Sequence, residues 1–194
     1  MKPVDDTSVT EWKTDMPALT TTAGVYSGLF VPLKRFTGAL PNLQEGRMMF
    51  YNSGLASWDV ELPSLTTADW MFRNSKLTEW HIDLPNLANA AGMFYGSAIK
   101  EVSGEFPALV DADSMFVACA HMTSFDVALP KLVKGGGMFY DTSLSSFSSD
   151  VPLLEKGVNS IGWPMFNCPL VSFSSALPSL TDGTNMFRPC KLNI

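Results

Sequence analysis

Leu77-Thr78-Glu79-Trp80-His81-Ile82-Asp83-Leu84-Pro85-Asn86-Leu87, followed after five residues by Met93-Phe94, states a pattern that recurs along the chain. An apolar residue precedes proline at Met16-Pro17, Leu40-Pro41, Leu62-Pro63, Leu84-Pro85, Phe106-Pro107, Leu129-Pro130, Val151-Pro152 and Leu177-Pro178. These prolines step by 24, 22, 22, 22, 23, 22 and 26 residues. A fixed period in this range is the sequence signature of a solenoid, in which each repeat stacks on its neighbours.

The rest of the frame keeps the same spacing. Met-Phe recurs at Met49-Phe50, Met71-Phe72, Met93-Phe94, Met115-Phe116, Met138-Phe139, Met165-Phe166 and Met186-Phe187, with Val25-Tyr26 in the first slot. Four residues before the pre-proline residue stand Trp12, Phe36, Trp58, Trp80, Val102, Phe125, Phe147 and Phe173. From Trp80 to Leu84 apolar residues alternate with His81 and Asp83, which predicts a half-buried strand over those five positions. Proline then falls at the strand end, where a missing N–H costs least. Stacked strands roughly 4.8 Å apart would form a parallel sheet, and eight rungs a rod on the order of 40 Å long.

The second half of the repeat carries residues such as Val133-Lys134-Gly135-Gly136-Gly137 that form helices poorly. Turns, short extended pieces and single 3₁₀ turns are expected there. A small residue recurs three positions after the post-proline leucine (Gly46, Ala68, Ala90, Ala112, Gly135, Gly183), which predicts close backbone approach at a corner. The expected fold is therefore mainly β, a parallel solenoid of about eight rungs with one main strand per repeat. It spans residues 9–194 as one domain behind an N-terminal extension of residues 1–8.

Met115-Phe116 with Cys119 and Met122, Met165-Phe166 with Cys168 and Leu170, and Met186-Phe187 with Cys190 and Leu192 resemble the M-F-x-x-C-x-x-L segment of the BspA-like leucine-rich repeats of bacterial surface proteins. The unit here is slightly short, and Ser53, Ser75, Ser97 and Thr142 stand in the cysteine slot. The resemblance implies a leucine-rich-repeat-type fold. Similar repeats in gut bacteria and their phages imply adhesion, host attachment or a virion component, and hence an extracellular surface or virion location.

Composition narrows the function classes. Charged residues make up 16% of the 194-residue chain, against about 25% in ordinary globular proteins. The net charge of −6 argues against phosphate-driven nucleic-acid binding. No apolar run approaches the roughly 20 residues of a membrane span, so membrane insertion is not expected. The start, Met1-Lys2-Pro3-Val4-Asp5-Asp6, lacks an apolar signal core. Neither end carries an obvious polar cap, which predicts self-association through end rungs or continuation into a longer protein.

Three surfaces are candidates for recognition. The outward strand positions hold Glu11, Asp15, Asp59, Glu61, Glu79, Asp83, Glu101, Glu105, Asp126 and Asp150, 10 of the 19 acidic residues, with His81 among them. Such a stripe either keeps a sheet face solvated or attracts a basic partner. Tyr51, Arg73 and Tyr95 follow the Met-Phe pair on consecutive repeats, and tyrosine and arginine dominate interface hot spots. Proline to Met-Phe spans eight residues except from Pro152 to Met165, where thirteen make room for a loop containing Trp163.

Catalysis finds no motif: Gly-x-Ser-x-Gly, His-Glu-x-x-His and a phosphate loop are all missing. No cofactor or metal is expected. Cys119, Cys168 and Cys190 read as a ladder of small buried side chains shared with Ser and Thr. Cys168 and Cys190 can face each other across adjacent rungs, which leaves a disulfide open though not expected. The expected function is a non-enzymatic binding module for a protein or glycan partner. The alternatives are an assembly component stacking through its ends and, third, a β-helix carbohydrate enzyme using carboxylates such as Glu101 and Glu105.

Overall fold

The computed structural model describes residues 9–22, 33–158, 164–188 and 190–192. Val25-Tyr26 and Trp163 lie outside them. The chain is β-rich, with no helix among the described residues. The strands are β1 (Glu11–Trp12), β2 (Arg35–Phe36), β3 (Glu79–Trp80), β4 (Glu101–Val102), β5 (Phe139–Tyr140), β6 (Ser146–Phe147), β7 (Phe166–Asn167) and β8 (Ser172–Phe173). They pair in parallel as β1–β2, β3–β4, β5–β7 and β6–β8.

The strand expected over Trp80–Leu84 is cut to two residues, because side chains take over its backbone groups. The Trp80 indole N–H donates to the Ile82 carbonyl at 2.8 Å, and Trp58 does the same to Val60 at 2.7 Å. One position on, the Asp83 carboxylate accepts the Glu105 N–H at 2.9 Å. Burial still alternates as the sequence predicts, with Trp80 and Leu84 buried and His81 and Asp83 exposed. Proline does not simply end a strand. It is the second residue of a hydrogen-bonded turn, as in Leu87 N–H to Leu84 C=O at 3.2 Å and Leu43 N–H to Leu40 C=O at 3.3 Å. The ring fixes the backbone angle that this turn position needs, where no N–H is required.

After the turn, one residue per repeat bridges to its neighbours. Thr21, Glu45, Thr67, Asn89, Asp111, Lys134, Lys156 and Asp182 are joined successively by parallel bridges. The Met-Phe segment follows as overlapping turns, for example Met49 N–H to Gly46, Tyr51 to Met48 and Ser53 to Phe50. Its alternate N–H groups all point toward the next repeat: Gly46, Met48, Phe50 and Asn52 donate to Thr67, Asp69, Met71 and Arg73 at 2.8–3.0 Å. The next repeats copy this, and Phe94 N–H reaches Met115 C=O at 3.0 Å. Positive φ recurs just before the Met-Phe pair and two residues after it, at Met48 and Asn52, Trp70 and Asn74, Gly92 and Gly96, Ser114 and Ala118, and Gly137 and Asp141.

That stacking builds the core. Phe50, Phe72, Phe94, Phe116, Phe139, Phe166 and Phe187 form one column, with neighbouring centroids 5.3–5.9 Å apart and planes within 11° of parallel. Strand aromatics form a second column that meets the first edge-on, as in Trp80 against Phe94 at 5.1 Å. The small corner residue makes room for the next repeat's methionine. A Cβ on Gly46 would stand 2.8 Å from Met71 Sδ, and one on Gly157 the same distance from Met186 Sδ.

Phe94→Ala or Trp58→Ala is expected to destabilise the chain by about 3–5 kcal/mol in a urea melt; a neutral result would contradict the inward assignment of these columns. Gly104→Ala tests close approach instead. Its new Cβ would overlap the Ile82 carbonyl oxygen, so a loss of about 1–3 kcal/mol is expected.

Candidate functional site

The acidic positions are all at the surface: Asp59, Glu61, Glu79, Asp83, Glu101, Glu105 and Asp126 are exposed, as is His81. They are not equivalent. Glu79 and Glu101 sit in register across β3 and β4, a like-charge pair that adds no stability. Asp83 is engaged in holding the Glu105 N–H. Asp15 does the same for Ala39 at 2.8 Å. Part of the stripe therefore holds neighbouring repeats together.

His81 gathers two partners that sequence reasoning did not connect. Its Nδ1 lies 2.9 Å from Ser103 Oγ and its Nε2 lies 3.1 Å from Glu79 Oε2. The order hydroxyl, imidazole, carboxylate is the one that activates a serine nucleophile. The surroundings differ from such a site. His81, Ser103 and Glu79 are exposed, and the Ser103 N–H is already donated to Trp80 at 2.9 Å. Acyl transfer draws its largest stabilisation from donors aimed at the oxyanion in a water-excluded site.

A tighter constellation surrounds Arg73. The turn closed by Arg73 N–H to Trp70 C=O places both side chains on one face. The guanidinium carbon lies 4.9 Å from the Trp70 ring centroid, 4.3 Å from that of Tyr95 and 5.7 Å from that of Tyr51. The expected Tyr51–Arg73–Tyr95 ladder therefore forms, and Trp70 joins it. Arg73 Nε is buried without a hydrogen-bond partner. Beside it the Asn74 amide donates to Asn52 Oδ1 at 2.9 Å. Trp70 is 40% exposed at φ 56°. Bulky residues rarely adopt this conformation. Trp70 also lies against Gly92, where a Cβ would overlap its indole. The signal for Trp70 was its slot, which has positive φ at Met48, Gly92, Ser114, Gly137 and Asn185 too, three of them residues suited to that conformation.

The bridge ladder carries a mixed-charge group. Lys134 Nζ lies 3.0 Å from Asp111 Oδ2, and Arg47 pairs with Asp69 at 3.0 Å. Asp113 accepts the Gly136 N–H at 2.8 Å. Burial, then the neighbouring Asp111 charge, raises the Asp113 carboxyl above its ordinary value. Burial likewise raises Asp69, and it outweighs the attraction of Arg47.

The cysteine slot is buried as expected at Cys119 and Cys168, whereas Cys190, expected to be buried, is only half-buried at the last described repeat. Cys119 donates to the Phe94 carbonyl at 3.1 Å, and burial pushes its thiol up to about 12. Among the described residues no group of three or more His, Cys, Asp or Glu side chains is placed to hold a metal ion. No helix among them is long and apolar enough to cross a membrane. The insertion after Pro152 is closed by an antiparallel bridge between Val158 and Pro164, while Trp163 lies outside the described residues.

Compared with protein-family models, curated proteins and solved structures, the chain matches none.

Asp113→Asn is expected to raise the urea midpoint at pH 7. A carboxyl raised in the folded state costs stability while ionised, and that cost disappears as pH falls toward the ordinary value of 3.8. The variant's advantage should therefore shrink between neutral pH and pH 4; an advantage independent of pH would assign it to packing instead.

Proposed function

We propose that the chain is a non-enzymatic binding module, folded as a leucine-rich-repeat-type parallel solenoid of about eight rungs. Its parallel bridges at every repeat boundary from Thr21 to Asp182 support the solenoid reading. Recognition of a protein or glycan on a host or other surface centres on Tyr51, Trp70, Arg73 and Tyr95. One observation carries this reading: Trp70 holds a strained backbone and an exposed indole against Arg73. Strained residues cluster at binding and catalytic sites, where surrounding structure sustains them. Aromatic and arginine side chains held rigidly at a surface are also the usual anchors of an interface.

A second reading, an assembly component stacking end on end, draws on the one-way hydrogen bonding of the Met-Phe segments. A repeat stacked in this way offers N–H groups on one side and C=O groups on the other. Another repeat, from this chain or a second copy, can extend it in the same polarity.

Screening the chain against glycans and extracellular proteins, followed by titration of the best ligand, tests the first reading. Arg73→Ala and Trp70→Gly are each expected to weaken binding by roughly 30-fold or more. Trp70→Gly should also lower Tm modestly, because relief of the positive φ is smaller than loss of the buried part of the indole. Lower Tm with intact affinity would make Trp70 a packing residue and defeat the proposal. Light scattering over a concentration series separates the readings: a 21.2 kDa monomer fits the module, and a growing or defined oligomer fits assembly.

A further inference from the structure

The last two described repeats bring Cys168 and Cys190 into adjacent places of the buried slot that Thr142, Cys119 and Ser97 continue. Backbone hydrogen bonds pin the repeats on both sides of the pair: Phe166 N–H to Met186 C=O at 3.1 Å, and Lys191 N–H to Leu170 C=O at 3.1 Å. Neighbouring strands bonded in this way run about 4.7–4.9 Å apart. That spacing falls inside the Cα separation of about 4.4–6.8 Å that a disulfide requires. Both thiols are free, and they lie near enough for each to shift the other's ionisation. Cys190 Sγ also lies 3.6 Å from the Phe166 carbonyl oxygen. Cys119 has no such neighbour. Thr142 separates it from Cys168, and its Sγ faces Ser97 Oγ at 3.4 Å.

We propose that Cys168 and Cys190 form a dithiol modification site, closed to an inter-repeat disulfide by exchange with a small-molecule disulfide. The geometry assigns each thiol a role. Cys190 is half-buried and Cys168 buried, so Cys190 is the thiol that meets the incoming disulfide. An open depression of about 450 Å³ reaches Cys168, lined also by Thr142, Asn167, Pro169 and Lys191 among others. Interaction with Cys168 lowers Cys190, and Cys190 in turn raises Cys168. Loss of the first proton therefore leaves a thiolate beside a protonated partner.

The exchange balances in two steps. Cys190 thiolate attacks one sulfur of the small disulfide, forming a mixed disulfide and releasing one small thiolate. Cys168 gives its proton to that thiolate and attacks Cys190 Sγ, expelling the second small thiolate. That thiolate takes up the proton Cys190 had lost to solvent. Two protein thiols are oxidised, and the small disulfide is reduced to two thiols.

The test is to incubate the reduced full-length chain with oxidised glutathione and follow intact mass, peptide maps and alkylation. The expected product has lost two hydrogen atoms and carries one Cys168–Cys190 disulfide, with Cys119 alkylated only after unfolding. Cys168→Ser places a residue that the same slot holds elsewhere, and it should stop at a stable glutathione adduct on Cys190. Cys190→Ser should slow all adduct formation at least about 10-fold. The first step should rise with pH and be half-maximal below the ordinary thiol value of 9.0. Persistent adducts on the unmutated chain, a disulfide-linked dimer, or thiols that react only on unfolding would overturn the proposal. So would a rate half-maximal at pH 9 or above.

Discussion

The Phe N–H to Met C=O hydrogen bond between consecutive repeats is the constraint on which the rest of the structure depends. It recurs from Phe50–Met71 through Phe166–Met186 at 2.8–3.1 Å. Because it fixes one phenylalanine above the next, the rings must stack at 5.3–5.9 Å rather than slide past one another. A repeat that gained residues elsewhere would lose this register unless the excess were looped out. The segment after Pro152 follows that rule. Val158 and Pro164 bridge antiparallel across it, and Met165 N–H returns to Gly157 C=O at 2.6 Å. Phe139 and Phe166 then keep their bonds to Met165 and Met186 despite the longer chain between Pro152 and Met165.

Fixed register turns each repeat position into a column, and neighbours in a column share chemistry. Inside, the column of small polar side chains shows what this costs. Ser53 Oγ and Ser75 Oγ are buried without a partner, whereas Ser97 Oγ meets the Cys119 thiol. An unpartnered buried hydroxyl costs about 1–3 kcal/mol on mutational scales. A thiol is a smaller burden in the same place, because it behaves as a small hydrophobe with a weak donor. Outside, the same stacking places Glu79 over Glu101 and Tyr51 and Tyr95 on either side of Arg73. One arrangement repels and the other attracts, so column neighbours decide which exposed residues form a coherent surface.

The period, inward positions and parallel pairing of neighbouring repeats were legible in the sequence, because proline, Met-Phe and the strand aromatic recur with almost no slippage. Strand length was not. Alternation from Trp80 to Leu84 reports burial, and burial is indeed alternating, but it is silent on who accepts each backbone hydrogen bond. The Trp80 indole and the Asp83 carboxylate occupy groups that a longer ladder would have used. The Tyr51–Arg73–Tyr95 ladder was legible from spacing alone. Trp70 was not, because its contact with Arg73 arises from a turn that brings residues three apart together. His81 with Ser103 and Glu79 escaped for a similar reason: one partner lies in its own strand segment and the other one repeat away.

Magnitudes show what holds Trp70 in its strained slot. A left-handed backbone costs a residue with a Cβ roughly 1–2 kcal/mol. An exposed cation–π contact with Arg73 returns about 0.5–1 kcal/mol. Glycine, found at this slot in Gly92 and Gly137, avoids the strain at an entropic cost of about 0.5–1 kcal/mol. Local energies therefore give tryptophan no stability advantage over glycine here. Burial supplies the difference: although 40% of its surface stays exposed, the indole packed on Gly92 removes on the order of 100 Å² or more from water, worth roughly 2–4 kcal/mol. Arg73 Nε, buried without a partner, adds a further desolvation cost at the same place. The buried part of the indole thus holds the strained cluster in place, and its exposed part together with Arg73 is the face on which the proposed recognition rests.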